Sequence, residues 1–185
     1  MSLPVEAQYW RRPGFILSTN KDLLSIPAIN HAFDQSFMYW VQPVPEDILQ
    51  TIVDNSFCFG LYETINDANS VEASDSDGEF PPELKKGNYR QIGFARLVTD
   101  GITLAYLTDL YVLPTYQGLG LGGWIIHCVD EVVTSLPYLR WMMLRTSSEK
   151  SQLSYEKKLG MTVLGCSDVN EGPVMMGRKG NAGRA

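Results

Sequence analysis

Leu107-Thr108-Asp109-Leu110-Tyr111-Val112-Leu113-Pro114-Thr115-Tyr116-Gln117-Gly118-Leu119-Gly120-Leu121-Gly122-Gly123 decides how this chain is read. Strand-forming residues run up to Pro114, and four glycines then open an apolar, helix-forming stretch. Glycine lets the backbone take positive φ and lets a ligand approach the main chain closely. The first N–H groups of the helix that follows lack intrahelical partners, and the helix dipole adds partial positive charge there. Strand, glycine loop and helix start together suit an anion, above all a phosphate. The plainer alternative is a glycine-rich turn that lets helix and sheet pack closely.

Three classes of phosphate loop compete for this stretch. A Walker A loop needs Lys and Ser/Thr after its last glycine, and Trp124 follows Gly123 here. Gly118, Gly120 and Gly123 match the dinucleotide pattern G-x-G-x-x-G literally. In that fold, however, the first glycine follows its strand almost directly and opens a long βαβ series. Here five residues separate Val112 from Gly118, and the preceding strands read as hairpins rather than crossovers.

The third class fits. The stretch resembles the GNAT superfamily of N-acetyltransferases, whose signature is Gln/Arg-x-x-Gly-x-Gly/Ala after a strand ending in Val-x-Pro. Val112-Leu113-Pro114 and Gln117-Gly118-Leu119-Gly120-Leu121-Gly122 match it in spacing and residue type. Tyr155-Glu156-Lys157-Lys158-Leu159-Gly160-Met161 resembles the family's Tyr-Glu-Lys-x-Gly-Phe, with one extra residue before the glycine. The resemblance spans roughly residues 14–177. It departs at Ser147, Ser148 and Ser151, where the family often carries Asn and Ala, and at Met161, where Phe is usual.

The resemblance implies an α/β GNAT fold. Its sheet would be mixed but mostly antiparallel, with six to seven strands flanked by about four helices, in one domain over residues 1–185. It implies acetyl-CoA as acyl donor and a small-molecule or peptide amine as acceptor, joined by direct attack. Main-chain amides of Gln117, Gly118, Leu119, Gly120, Leu121, Gly122 and Gly123 would hold the CoA diphosphate, with Ser148 as a further contact. Leu110, Tyr111 and Val112 would pair with the pantetheine arm, and an N–H among them would polarise the thioester carbonyl. Tyr155 would be the acid that protonates the departing thiolate. Asp109 is a candidate base; extended geometry would put it on one face with Leu107 and Tyr111, opposite Leu110. Pairing of Asp109 with a basic side chain and a water relay both stay open. Phe33, Phe37, Tyr39 and Trp40 would build the acceptor pocket or else pack in the core. Dimers are common in the family, which allows a homodimer. A CoA-binding module without catalysis and an NAD(P)-binding oxidoreductase are the competing functions.

Outward from the motif, the elements follow from pattern. Gly14–Ser18 reads as a strand, and Ser25 as the cap of a helix from Ile26 to Gln35, with Pro27 in its first turn. Leu24 would staple onto Ile29. A helix follows over Pro45–Asp54 and strands over Phe57–Glu63 and Arg90–Thr99. Asp100-Gly101 reads as a hairpin turn into Thr103–Val112. Helix Gly120–Ser135, strand Leu139–Arg145, helix Ser151–Leu159 and two short strands near Met161–Leu164 and Val174–Met176 complete the chain. Residues 65–88 read as a solvated acidic loop; a calcium loop there fails because Ala73 and Leu84 would fall at ligand positions.

Composition narrows the function. With 185 residues and 44% hydrophobic residues the chain can bury a core. A formal charge of −6 gives no footprint for nucleic acid. No apolar run reaches the ~18–20 residues a bilayer span needs, and no secretory pattern opens the chain, so a cytoplasmic protein without membrane contact is expected. Cys58, Cys128 and Cys166 are odd in number and widely spaced, which suggests neither a disulfide framework nor a metal site.

Overall fold

The computed structural model describes residues 2–65, 88–165, 168–170 and 174–180. In chain order these form β1 (Tyr9–Arg12), β2 (Phe15–Ser18), α1 (Ile26–Phe33), α2 (Glu46–Asp54), β3 (Phe57–Thr64), β4 (Tyr89–Thr99) and β5 (Leu104–Val112). Then follow α3 (Leu121–Thr134), β6 (Trp141–Thr146), α4 (Glu149–Leu159), β7 (Thr162–Val163) and β8 (Val174–Lys179). One eight-stranded sheet runs β1-β2-β3-β4-β5-β6-β8-β7. Every neighbouring pair is antiparallel except β5–β6. That parallel pair requires a crossover, and α3 supplies it.

The sheet is mixed and mostly antiparallel, as expected, but has eight strands rather than six to seven. The extra strand is β1, whose Tyr-Trp-Arg-Arg sequence grows steadily more exposed instead of alternating. Helix starts follow the sequence closely. Ser25 Oγ accepts the Ala28 N–H at 3.3 Å, and Pro27 sits in the first turn of α1. Leu24 and Ile29 share one core, as a staple would. The α1 helix stops at Phe33, two residues earlier than expected, with Asp34 as its cap. The Asp100-Gly101 turn is longer than the expected two residues. Asp100 Oδ1 accepts the N–H groups of Ile102, Thr103 and Leu104, so a four-residue connection wraps around one carboxylate. The Thr103 hydroxyl, which donates to Oδ2, and then these three N–H groups hold the Asp100 carboxyl well below its usual range.

Two cores lie on opposite faces of the sheet. The larger packs α3 and α4 onto β3–β6, with Phe59, Leu61, Ala105, Leu107, Ile125 and Val129 buried. The smaller packs α1 and α2 around Ile29, Phe33, Leu49, Phe94 and Tyr111. The stem of the β3–β4 connection is closed: Thr64 faces Tyr89, and the Ile65 N–H donates to Asn88 O at 2.9 Å. The acidic loop expected between these strands lies, from 66 to 87, outside the described residues, as does Cys166. Cys58 and Cys128 are buried free thiols, each pushed by that burial up to about 12. No helix among the described residues is long and apolar enough to cross a membrane.

Candidate active site

A bulge in β5 organises the site. Thr108 pairs with Arg96 of β4 and Tyr111 pairs with Phe94, so Asp109 and Leu110 together face the single residue Ala95. Such an extra residue bends the strand and shifts its phase. Side chains on the α3 face are Ala105 and Leu107 before the bulge, but Leu110 and Val112 after it. Asp109 takes φ 52°, the only positive value at a non-glycine among the described residues. The extended geometry expected for Asp109 is therefore corrected: Leu107 and Tyr111 lie in different cores, on opposite faces of the sheet.

The bulge also redirects the main chain. The Leu113 N–H bonds to Ile92 O at 2.8 Å, which turns Leu113 and Tyr111 toward β4. Alternation then turns the N–H groups of Leu110 and Val112 away from β4, to the β6 side. No partner strand meets them, because β5 and β6 pair only from Leu104–Trp141 to Leu107–Leu144. Beyond that register the strands part and leave a cleft of about 740 Å³. Its walls include Tyr106, Thr108, Asp109 and Leu110 from β5, and Leu144, Arg145 and Thr146 from β6. Ser147, Ser148, Ser151 and Tyr155 line it from the α4 side, and Tyr39, Trp40 and Val41 from the connection between α1 and α2. The Tyr39 and Ser147 hydroxyls hydrogen-bond to each other across this cleft.

The glycine loop follows β5. The Gln117 side chain donates to Val112 O at 3.0 Å and ties the loop to the strand end. Gly118 and Gly120 take φ 87° and 75°, and an added Cβ at either would stand in open space. Only the backbone conformation demands glycine at these two positions. Gly120 caps α3 without a side chain. The Trp124 N–H, bonded to Gly120 O at 3.1 Å, is the first to join the helix ladder. Among the described residues, no N–H from Gly118 to Gly123 donates to a protein acceptor, whereas the Gln117 N–H, expected in the same set, closes the preceding turn by donating to Pro114 O at 3.2 Å. A Cβ on Gly123 would lie 2.8 Å from Lys158 Nζ, so the ammonium of α4 stands over the first turn of α3. Alone at a helix N-terminus that cation is disfavoured by the dipole; an anion between the two would reverse the sign.

The sequence-derived candidates divide. Tyr155 lines the cleft, and among the described residues its hydroxyl meets no protein hydrogen-bond partner. Burial pushes this phenol above its ordinary value. Ser148 also lines the cleft while capping α4, its Oγ accepting the Ser151 N–H at 3.3 Å. Asp109 reaches the wall with both oxygens engaged: Arg96 Nε donates to Oδ2 at 2.5 Å and Thr108 Oγ1 to Oδ1 at 3.2 Å. Tyr39 and Trp40 are exposed in the cleft, 70% and 49%, their rings edge to face at 5.0 Å. Phe33 does not join them; it is a core residue of the α1–α2 side. Phe37 packs on Tyr111 with ring centroids 6.2 Å apart, beside that core. Sequence reasoning missed Thr108 and Thr146 as cleft residues; they stand where two parallel strands stop pairing, a point no local pattern encodes.

Known proteins resemble this chain in sequence and in fold. The Acetyltransferase (GNAT) family pattern matches residues 34–161. A Gibberella zeae protein provisionally named an acetyltransferase, FG08082, is 37% identical over 155 residues, covering 83% of this chain and 82% of that protein. The crystal structure of a provisionally assigned GNAT acetyltransferase from Xanthomonas campestris superposes with a TM-score of 0.56 at 28% identity, covering 80% of this chain and 84% of that one. A GNAT acetyltransferase from Elizabethkingia anophelis, solved with acetyl-CoA bound, shares the fold with a TM-score of 0.54 at 12% identity, over 91% of this chain and 99% of that one. With a glycine loop opening α3, a bulged β5 parting from β6 and a tyrosine of α4 in the gap, the chain belongs to the GNAT acetyltransferase family.

Proposed function

We propose that this protein transfers an acetyl group from acetyl-CoA to a primary amine by direct attack of the amine on the thioester. The observation that carries the reading is the unpaired edge of β5 beyond Leu107, which leads through the glycine loop to the bare first turn of α3. An extended amide-bearing arm ending in a diphosphate matches that edge and that turn in order. Acetyl-CoA supplies the acyl group as an activated thioester. The free N–H groups from Gly118 to Gly123 hold the diphosphate, and the Lys158 ammonium adds charge to the cradle. The main chain of Leu110 and Val112 pairs with the pantetheine arm, and the Leu110 N–H polarises the thioester carbonyl.

The remaining roles fall to the cleft side chains. The amine nitrogen bonds to the acyl carbon, the carbon–sulfur bond breaks, and Tyr155 gives its proton to the departing sulfur. The acceptor must first lose a proton, since an alkyl ammonium with pKa ~10.4 is more than ~99.9% protonated at pH 7. A water relay through the open cleft carries that proton to bulk solvent, and the second proton the nitrogen sheds on forming the amide restores the Tyr155 hydroxyl. Tyr39 and Trp40 receive the acceptor, whether small molecule or peptide, and their ring faces favour a cation.

Screening the chain against a panel of amines by release of free CoA tests the reading, with Tyr155→Phe alongside. Transfer should fall about 100-fold in the variant while acetyl-CoA affinity stays within about twofold. An unchanged rate removes Tyr155 as the acid. Because burial raises the Tyr155 pKa, its acid form persists past the ordinary phenol value; kcat should therefore show no alkaline fall below pH ~10. Acetyl-CoA binding without transfer to any amine would favour a binding module instead. Thermal stabilisation by NAD(P)H and none by acetyl-CoA would end the reading.

A further inference from the structure

We infer that Arg96 and Asp109 form a positioning pair that holds the β5 bulge in place, and that Asp109 does not act as the base. This inference rests on the acetyltransferase reading of the cleft and adds a residue pair to it. Asp109 carries positive φ with a Cβ present, a conformation that costs roughly 1–2 kcal/mol and persists only where the surroundings impose it. The surroundings here are one ion pair and its anchors. Arg96 Nε donates to Asp109 Oδ2 at 2.5 Å, with the two side chains 19% and 9% exposed. Arg96 Nη1 donates to Ser56 Oγ at 3.2 Å, and Ser56 Oγ donates in turn to Ile52 O at 2.7 Å, in α2. Thr108 Oγ1 holds the second carboxylate oxygen. The network therefore ties the bulge to β4 and, through Ser56, to α2.

What the bulge does fixes what the pair is for. Without the extra residue, continuous alternation would send the N–H groups of Asp109 and Tyr111, not those of Leu110 and Val112, toward the cleft. The pair therefore sets which amides meet the cofactor arm. A proton acceptor, by contrast, needs a free oxygen lone pair directed at the amine, and a guanidinium on one oxygen with a hydroxyl on the other opposes that role.

Two substitutions separate positioning from base catalysis. Asp109→Asn keeps a residue that tolerates positive φ while removing the charge, and Arg96→Gln removes the partner but leaves the carboxylate. In steady-state transfer to the best amine of the panel, each should lower kcat/KM for acetyl-CoA about 10-fold or more with KM for the amine within about twofold. The double variant should be no worse than either single one, because both break one unit. Arg96→Lys should recover part of the loss, and the acidic limb of the pH–rate profile should keep its position in all variants. A far larger loss in Asp109→Asn than in Arg96→Gln, or an acidic limb that disappears in Asp109→Asn alone, overturns the inference in favour of a base. Amide hydrogen exchange at Tyr111 and Leu113, whose N–H groups face β4, gives a readout that needs no activity: it should speed up about 10-fold in both single variants. Unchanged exchange there overturns the positioning pair even if the unmutated chain transfers to no amine, an outcome that would separately remove the acetyltransferase reading.

Discussion

Helix α4 begins on Ser148, whose Oγ accepts the Ser151 N–H; α3 begins on Gly120, which has no side chain to do the same. Helix α1 resembles α4, with Ser25 as its cap. Glycine in place of serine at a cap costs only a few tenths of a kcal/mol. The difference is thus small in stability and large in chemistry: α1 and α4 close off a first-turn donor, whereas α3 leaves its donors open toward the end of the cleft. Helix α2 also starts without a side-chain cap, on Pro45, so the missing cap alone does not distinguish α3; its place after the glycine loop that follows β5 does.

The sharpest way to break this contrast is Gly122→Pro. Pro27 already sits in the first turn of α1, so the substitution copies an arrangement the chain tolerates. A Cβ at Gly122 would meet only Val112 Cγ2, at 3.9 Å. One open N–H disappears and the helix stays, so acetyl-CoA affinity measured by calorimetry should fall about 10–100-fold, the worth of a hydrogen bond to a charged group. The melting temperature should hold or rise. Affinity that survives would mean the open donors of α3 serve no ligand. Ser148→Ala is the complementary case. It should destabilise the fold by about 1 kcal/mol, a drop of roughly 2–4 °C in melting temperature, with acetyl-CoA affinity within about twofold. A larger loss of affinity would make Ser148 a cofactor contact as well as a cap. Lys158→Gln is the finest test, since its ammonium stands over the α3 turn. Affinity should drop about threefold at low salt, and the gap should close as salt screens the charge.

Much of this was legible in the residues. Ser25, Pro27 and Gly160 mark helix ends through local hydrogen bonding and backbone freedom, and they stand where expected, Gly160 with φ 61°. The Gln117–Gly123 loop was readable because an open helix start demands glycine. Other features depend on partners far along the chain. The β1 edge strand alternates in no way a pattern search detects. Gly177 reads as a strand end after Met176, yet β8 continues to Lys179 because β6 supplies partners to its full length. Phe33 and Tyr39 carry similar rings six residues apart; only the second core decides that one is buried and the other faces the cleft. The Asp109 bulge was the hardest to foresee, since an aspartate in a run of strand formers gives no sign of positive φ until Arg96 stands opposite.

The closed stem between β3 and β4 carries a consequence of its own. Pairing is complete up to Thr64 and Tyr89, and the Ile65–Asn88 bond seals the end. Chain closure beyond a sealed stem costs little more as the connection lengthens, roughly 0.6 kcal/mol per doubling. The register that β4 passes on to β5 is anchored at its far end by the stem itself, through Thr64–Tyr89 and Ile65–Asn88, so a change confined to the cleft end of β5 leaves that anchor in place.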